Sequence, residues 1–568
     1  MFARRDTLVL SLLLVAVSIV WIDTYRRWTA PSWQVPVAYV GDAWFELTAI
    51  NGKAESGALP FGRYTLPRLG APEGADWSDY PLYDDVLNWT VAQGARWFGL
   101  FPAANLAVLL GHLLAAASCF CVCRHLGAAR SWSAAVAGVY ALSYYAFYRT
   151  LWHLSLLHYW HLPLALAVVL RCLSTRRPAL AGRALAGAVG IAFLTGLLEF
   201  YYAMMIGQFF ALAAVFHAVR RGGVRRILVP VGLGATLVIA FLVTQIDTFN
   251  HHREHGPNPT AVARGGGDVA VLALRPIQLV LPYQHAWAAL QKWSREAYWD
   301  TNPAGRSSER STYLGVVGLA GLLAILGSFV WRLRQRRKFS WYAPLTAWVV
   351  AWAVPGGISS LLVLAGWNYI RANNRMSIFL LTLALLFLAT ALTAATRRWS
   401  AAKCWVCAAG LFALGAWDQA RHPPAQPWTA IRRTVEGDRQ FARELETAVG
   451  PRTNVFMLPA VPFPEAGSNF ARGFIDYEHL RLYLASKTLR LSYGAVKGRP
   501  AVDDAVALGQ GPADEVTARI AAGSWGAVVI NRKGLADDGA AMLASLERGG
   551  WTRRIESPLG DMVAVVRP

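Results

Sequence analysis

Long stretches without a charged residue alternate with short basic clusters over the first 420 positions of the chain. The uncharged runs occupy residues 7–22, 97–123, 131–148, 150–170, 184–198, 200–219, 227–246, 311–331, 339–370, 376–396 and 404–417. An α-helix rises about 1.5 Å per residue, so roughly twenty apolar residues cross the hydrocarbon layer. These runs therefore predict about eleven membrane-spanning helices, the first and last extending into flanking residues. Beyond Asp418 the pattern changes. Short apolar segments at Val455–Leu458 and Ala527–Ile530 and a closing one at Met562–Val566 predict strands, and a helical period surrounds Asp537–Glu547. The expected fold class is an α-helical polytopic membrane protein with large external loops and a C-terminal soluble α/β domain. The transmembrane domain is expected over 1–420 and the α/β domain over 428–568, with His422–Pro427 as the linker.

Composition agrees with this reading. At 55% hydrophobic and 16% charged, 568 residues cannot all be packed as a water-soluble globule. The net charge of +21 would suggest nucleic acid in a soluble protein, but here the basic residues border the apolar runs. The junctions 124–130, 171–183, 220–226, 332–338 and 397–403 are rich in Arg and Lys and contain no acid. By the positive-inside rule they are cytoplasmic together with the N-terminus, while loops 23–96 and 247–310 and the tail lie outside. Lipids, not nucleic acid, are the expected surroundings. No small-residue cleavage site follows the first run, which reads as a retained span. The six cysteines lie in or beside membrane runs, and Cys404-x-x-Cys407 reads as packing.

Carboxylates are scarce enough to stand out. Between Asp85 and Asp247 the only one is Glu199, at the external end of a span, and between Arg310 and Asp418 there is none. An acid at the mouth of a bundle is a functional candidate, with a solvated interfacial residue as its alternative. The first external loop contributes Asp42 and Glu46 in Gly41-Asp-Ala-Trp-Phe-Glu46, and Asp84 and Asp85 among aromatics before the next span. Such carboxylates suit general-base work or a divalent cation, Mg or Mn, and Asp84 equally suits a helix N-cap. His153, His158 and His161 cluster near the external start of a run. Structural or substrate hydrogen bonding explains them better than metal ligation.

The retained first span, the early Gly41-Asp42, Pro102-Ala-Ala-Asn105, Arg124-His-Leu-Gly127, the His-rich turn at Trp152–His158 and Glu199-Phe-Tyr-Tyr202 together resemble the C-type glycosyltransferase (GT-C) superfamily. Leu274-Arg-Pro276, Glu309-Arg-Ser-Thr-Tyr-Leu-Gly315 and Arg371-Ala-Asn-Asn-Arg-Met376 resemble its bacterial YfhO-like branch. The resemblance implies an enzyme of the bacterial inner (plasma) membrane. It implies transfer of a sugar from a polyprenyl-phosphate donor to an envelope glycan or lipid acceptor on the external face. It also implies Asp42 as catalytic base, supported by Glu46, Asp84, Asp85 or Glu199. Arg149, Arg275, Arg371 and Arg375 are then candidates for the donor phosphate, with Arg371 and Arg375 favoured because they bracket Asn-Asn. His153, His158, Tyr201 and Tyr202 are candidates for lining the substrate site. Asp42 is not part of an Asp-x-Asp pair, so metal dependence stays open, and the external domain is expected to close over the site or bind acceptor. A transporter or lipid-linked-sugar flippase is the competing expectation.

Overall fold

The computed structural model describes residues 4–81, 84–262, 265, 267–307, 309–366, 370–420, 428–465 and 473–568; the His422–Pro427 linker lies outside them. Among the described residues seven helices are long and apolar enough to cross a membrane. They are Arg4–Thr24, Leu100–His125, Phe200–Val219, Val224–Val243, Gly315–Arg334, the bent Tyr342–Leu364 and Asn373–Ala395. Shorter apolar helices, His161–Leu173 and Gly182–Leu198, pack with them, as do Arg130–Ala141 and Ala401–Gln419. The chain is a polytopic helical membrane protein.

Three of the uncharged runs are not single helices. Run 131–148 splits at Leu142 into Arg130–Ala141 and Tyr144–Arg149, and the Ser143 hydroxyl accepts the Ala146 N–H at the new start. Run 150–170 makes two short turns, 150–152 and 154–157, before His161–Leu173 begins. Thr150 there has φ 41°, and His153 is extended. Run 339–370 bends at Val354–Gly357. Lack of charge reports compatibility with lipid and says nothing of continuity. Broken backbone is tolerated at membrane depth when it is buried against protein. The first two breaks leave Arg149 and His153 pointing inward at the outer end of the bundle.

Outside the bundle, the first loop folds around the helix Asp42–Ser56, which Gly57 ends in the left-handed conformation that its missing Cβ allows. It continues through a short antiparallel pair, β1 (Thr65–Leu66) and β2 (Ala75–Asp76). The tail forms a five-stranded sheet of β3 (Asn454–Leu458), β4 (Arg490–Leu491), β5 (Ala527–Asn531), β6 (Arg553–Glu556) and β7 (Met562–Val566) in the order β4-β3-β5-β7-β6. β4, β3 and β5 are parallel, and β7 and β6 run antiparallel. β3 alternates between two apolar cores. Val455 and Met457 face the side covered by Trp428–Val449, through Phe441 and Leu445. Phe456 and Leu458 face Ile520 and Leu546 of the helices Ala513–Ala522 and Ala540–Arg548. Both faces are covered, so the central strands read as continuous apolar runs. The closing segment is not an edge, because β6 lies outside it.

First loop and tail pack as one body. Leu69 bridges Leu491, the Ala71 N–H donates to the Leu491 carbonyl at 2.9 Å, and the Trp77 ring stacks on Phe463 at 4.9 Å. Beneath this contact Lys53 and Asp85, both fully enclosed, form an ion pair, and Asp85 also accepts the Phe61 N–H at 2.7 Å. Removing one partner of such a pair strands a buried charge. We expect Lys53→Met to lower stability by about 3–5 kcal/mol, and Lys53→Met combined with Asp85→Leu to recover most of it, as read by thermal unfolding of the detergent-solubilised protein.

Candidate active site

Gly41 has φ 55°, which turns the chain so that Asp42 opens its helix facing the bundle. Glu46 follows one turn later on the same face. Together with Asp84, Glu199, His153, Arg371 and Arg375 they line a cavity of about 220 Å³ between one end of the helix bundle and the C-terminal domain. Glu199 caps Phe200–Val219, accepting the Tyr201 N–H at 3.3 Å. Tyr201 lines the cavity, with the Arg375 guanidinium 4.8 Å from its ring centre.

Asp42 is half-exposed to this cavity, and its carboxylate lies 3.4 Å from His153 Nε2, which is 3.4 Å from Arg375 Nη2. Arg375 in turn donates to Glu309 at 2.7 Å, and the fully buried Arg149 reaches the other Glu309 oxygen at 2.5 Å. Arg371 bridges Asp268 and Glu465, each at 3.2 Å. Carboxyls outnumber guanidiniums along the lining, and removal from water adds to their mutual repulsion. Burial first, then Glu309, Glu465 and Asp476 against the opposing Arg375, pushes the Asp42 carboxyl up to about 6. Glu46 and Asp84 lie side by side in the lining. Burial followed by Asp84 raises Glu46 well above the ordinary range, and burial followed by Glu199 raises Asp84 to about 6, so the pair retains a proton. For Glu309 burial alone would act upward, but Arg149 and Arg375 together hold it well below the usual carboxylate range.

Several expected residues are placed elsewhere. Asp85 faces away from the cavity into its pair with Lys53. Asp84 stands at the N-cap position of Asp85–Phe98, yet its side chain makes no capping bond and lines the cavity instead. Arg275 turns back onto its own loop, donating to the Val271 and Ala270 carbonyls at 2.9 and 3.1 Å. Arg149 stands behind Glu309 and supports the wall from there. His158 is enclosed against the Ala107 carbonyl at 3.1 Å and His161 against Thr195 at 3.1 Å, and they do not share one helix face, because the helix starts only at His161. Tyr202 donates to the Leu156 carbonyl at 2.6 Å and packs inside the bundle. Among the described residues no group of three or more His, Cys, Asp or Glu side chains is arranged to hold a metal ion.

Sequence reasoning missed Glu309 as a site residue, although it opens one of the motifs noted above. It also missed Phe45, Tyr80 and Trp152, and two contributions from the tail, Glu465 and Tyr477. Aromatics beside the first-loop acids were the available signal for Phe45 and Tyr80. Nothing local marks Glu465 or Tyr477, which reach the cavity through tertiary packing alone.

No family model and no curated protein matches the sequence. Among solved structures, the chain is similar to the arabinofuranosyltransferase AftD from Mycobacteria, with TM-score 0.50 and 14% identity over 94% of this chain and 35% of AftD. It is also similar to the oligosaccharyltransferase AglB from Archaeoglobus fulgidus, solved with an inhibitory peptide and a dolichol-phosphate (TM-score 0.46, 11% identity, 99% of this chain and 74% of AglB). A third is ArnT from Cupriavidus metallidurans bound to undecaprenyl phosphate (0.45, 15%, 98% and 97%). The likeness to AftD extends over nearly the whole chain but only about a third of AftD's length, and it shows a shared fold. The electrostatics of the cavity can be checked directly. Infrared titration of wild type against Asp42→Asn is expected to show a protonated carboxyl that disappears with a midpoint near 6 and is missing from the variant.

Proposed function

We propose that this chain transfers a sugar from a polyprenyl-phosphate-linked donor to a glycan or lipid acceptor at the outer face of a bacterial plasma membrane, within the YfhO-like branch that its motifs resemble. The observation that carries the reading is one cavity holding a half-exposed carboxylate of raised pKa, Asp42, opposite two arginines, Arg371 and Arg375. Such an arrangement serves a displacement at a sugar carbon. Asp42 takes the proton of the acceptor hydroxyl, the oxygen bonds to the anomeric carbon, and the bond from that carbon to the phosphate oxygen breaks with its electron pair leaving on phosphate. The arginines face the charge that develops there. His153 orients Asp42, while the protonated Glu46–Asp84 pair keeps further negative charge off the acceptor side. No step is assigned to a metal. Tyr477 and Glu465, brought by the tail, support an acceptor-facing role for the external domain.

Asp42→Asn is expected to abolish transfer while preserving membrane abundance, seen as loss of one sugar substituent when surface glycans of the two strains are compared by mass spectrometry. Glycans unchanged both in this variant and in a full deletion would instead favour a transport role. Because the base must be ionised, the rate is expected to rise with pH through about 6 and level off above it. The orientation is checked separately: a reporter active only in the cytoplasm, fused after Pro568, is expected to stay dark.

A further inference from the structure

A fully buried guanidinium and a partly buried one share one carboxylate at the inner wall of the cavity. Arg149 is fully enclosed and ends the short helix made by the break at Leu142; Arg375 comes from the turn Asn373–Met376. Glu309 stands between them on the second external loop, one oxygen on Arg149 Nη2 at 2.5 Å and the other on Arg375 Nη2 at 2.7 Å and Nε at 3.2 Å. The count of donors does not match the count of acceptors. Arg149 gives one further hydrogen bond, to Ser311 at 2.8 Å, but its Nε and Nη1 are enclosed without any acceptor, as is His153 Nδ1. Buried cationic N–H groups without partners are rare and unfavourable. Of these three side chains two are cationic and one is anionic, with Asp42 beyond His153 as a further carboxylate, and Arg149, whose guanidinium also lies over the Tyr145 ring at 4.9 Å, keeps donors that Glu309 does not satisfy. An anion with three or more oxygens matches the cluster better, and Glu309, about one-sixth exposed and on a loop, is the member able to move.

We propose that Glu309 is a stand-in anion for the donor's phosphate: it holds Arg149 and Arg375 in place while the cavity is empty and yields Arg375 when the phosphate arrives. This rests on the phosphate-linked donor named above. Glu309 is then a positioning residue that lowers donor affinity and keeps the arginine fork aimed for reaction. A bare pair of arginines would repel each other, swing apart and hold any passing anion.

The test uses the full-length protein in detergent, with farnesyl phosphate as probe and farnesol as its uncharged control. Wild type is expected to prefer farnesyl phosphate. Glu309→Gln, which releases both arginines, is expected to bind it about ten-fold more tightly with farnesol affinity unchanged, and Glu309→Asp to resemble wild type. In turnover, the same Gln variant is expected to show a lower donor KM together with a lower kcat. If Glu309→Gln does not fold, Arg149→Met combined with Glu309→Gln removes one cation along with the acid, and this double variant should still bind the phosphate more tightly than wild type. Wild type that prefers farnesyl phosphate while every folded Gln variant binds it equally or more weakly overturns the stand-in role alone. Wild type that does not distinguish the two probes overturns the phosphate-donor reading itself.

Discussion

A guanidinium carried into a low-dielectric wall must meet an anion there, and this requirement organises the outer end of the bundle. Arg149 ends the short helix Tyr144–Arg149 that starts after the break at Leu142, and its anion, Glu309, comes from a loop 160 residues further along the chain. The same carboxylate fixes Arg375, which borders His153, which borders Asp42. A single ion cluster thus sets the positions of groups from four separate segments. The helix breaks at Leu142 and around His153 follow the same logic, since continuous helices would aim these side chains into lipid or along the bundle axis.

The C-terminal domain is attached by an equivalent device farther from the bundle. Asp79 of the first loop accepts from Arg499 of the tail at 2.7 and 2.8 Å, from Asn258 of the second loop at 2.6 Å and from His252 at 3.1 Å. Its side chain is enclosed, so the three partners satisfy a charge that water cannot reach. Aromatic stacking of Phe45, Trp77 and Phe463 completes the seam with apolar contact. The cavity roof therefore rests on the Asp79 clamp and one aromatic layer.

Much of this was legible in the chain, for physical reasons. Membrane character showed because charge is unfavourable in hydrocarbon, and the same scarcity drew the eye to Glu199, Arg371 and Arg375. The central tail strands were visible because both their faces are buried, whereas β6, with Arg553 and Arg554 exposed at the sheet edge, reads like a loop. The site was legible only by neighbourhood. Asp84 and Asp85 adjoin each other, yet one lines the cavity and the other pairs with Lys53; Tyr201 lines it and Tyr202 does not. Which of two neighbours faces inward depends on where a helix starts, and uncharged runs carry no mark of their internal breaks. Glu465 and Tyr477 depend on docking between distant segments, which no local pattern encodes.

The pairing of Leu69 with Leu491 sets an order of assembly. The first loop is among the earliest parts synthesised and the segment that covers it among the last, so the loop's aromatic face waits uncovered while all the intervening spans are inserted. Contacts of such long sequence separation form late. A chain interrupted between the helix Ala401–Gln419 and β4 would hold the whole bundle but lack the segment that covers the first loop, leaving its aromatic face uncovered.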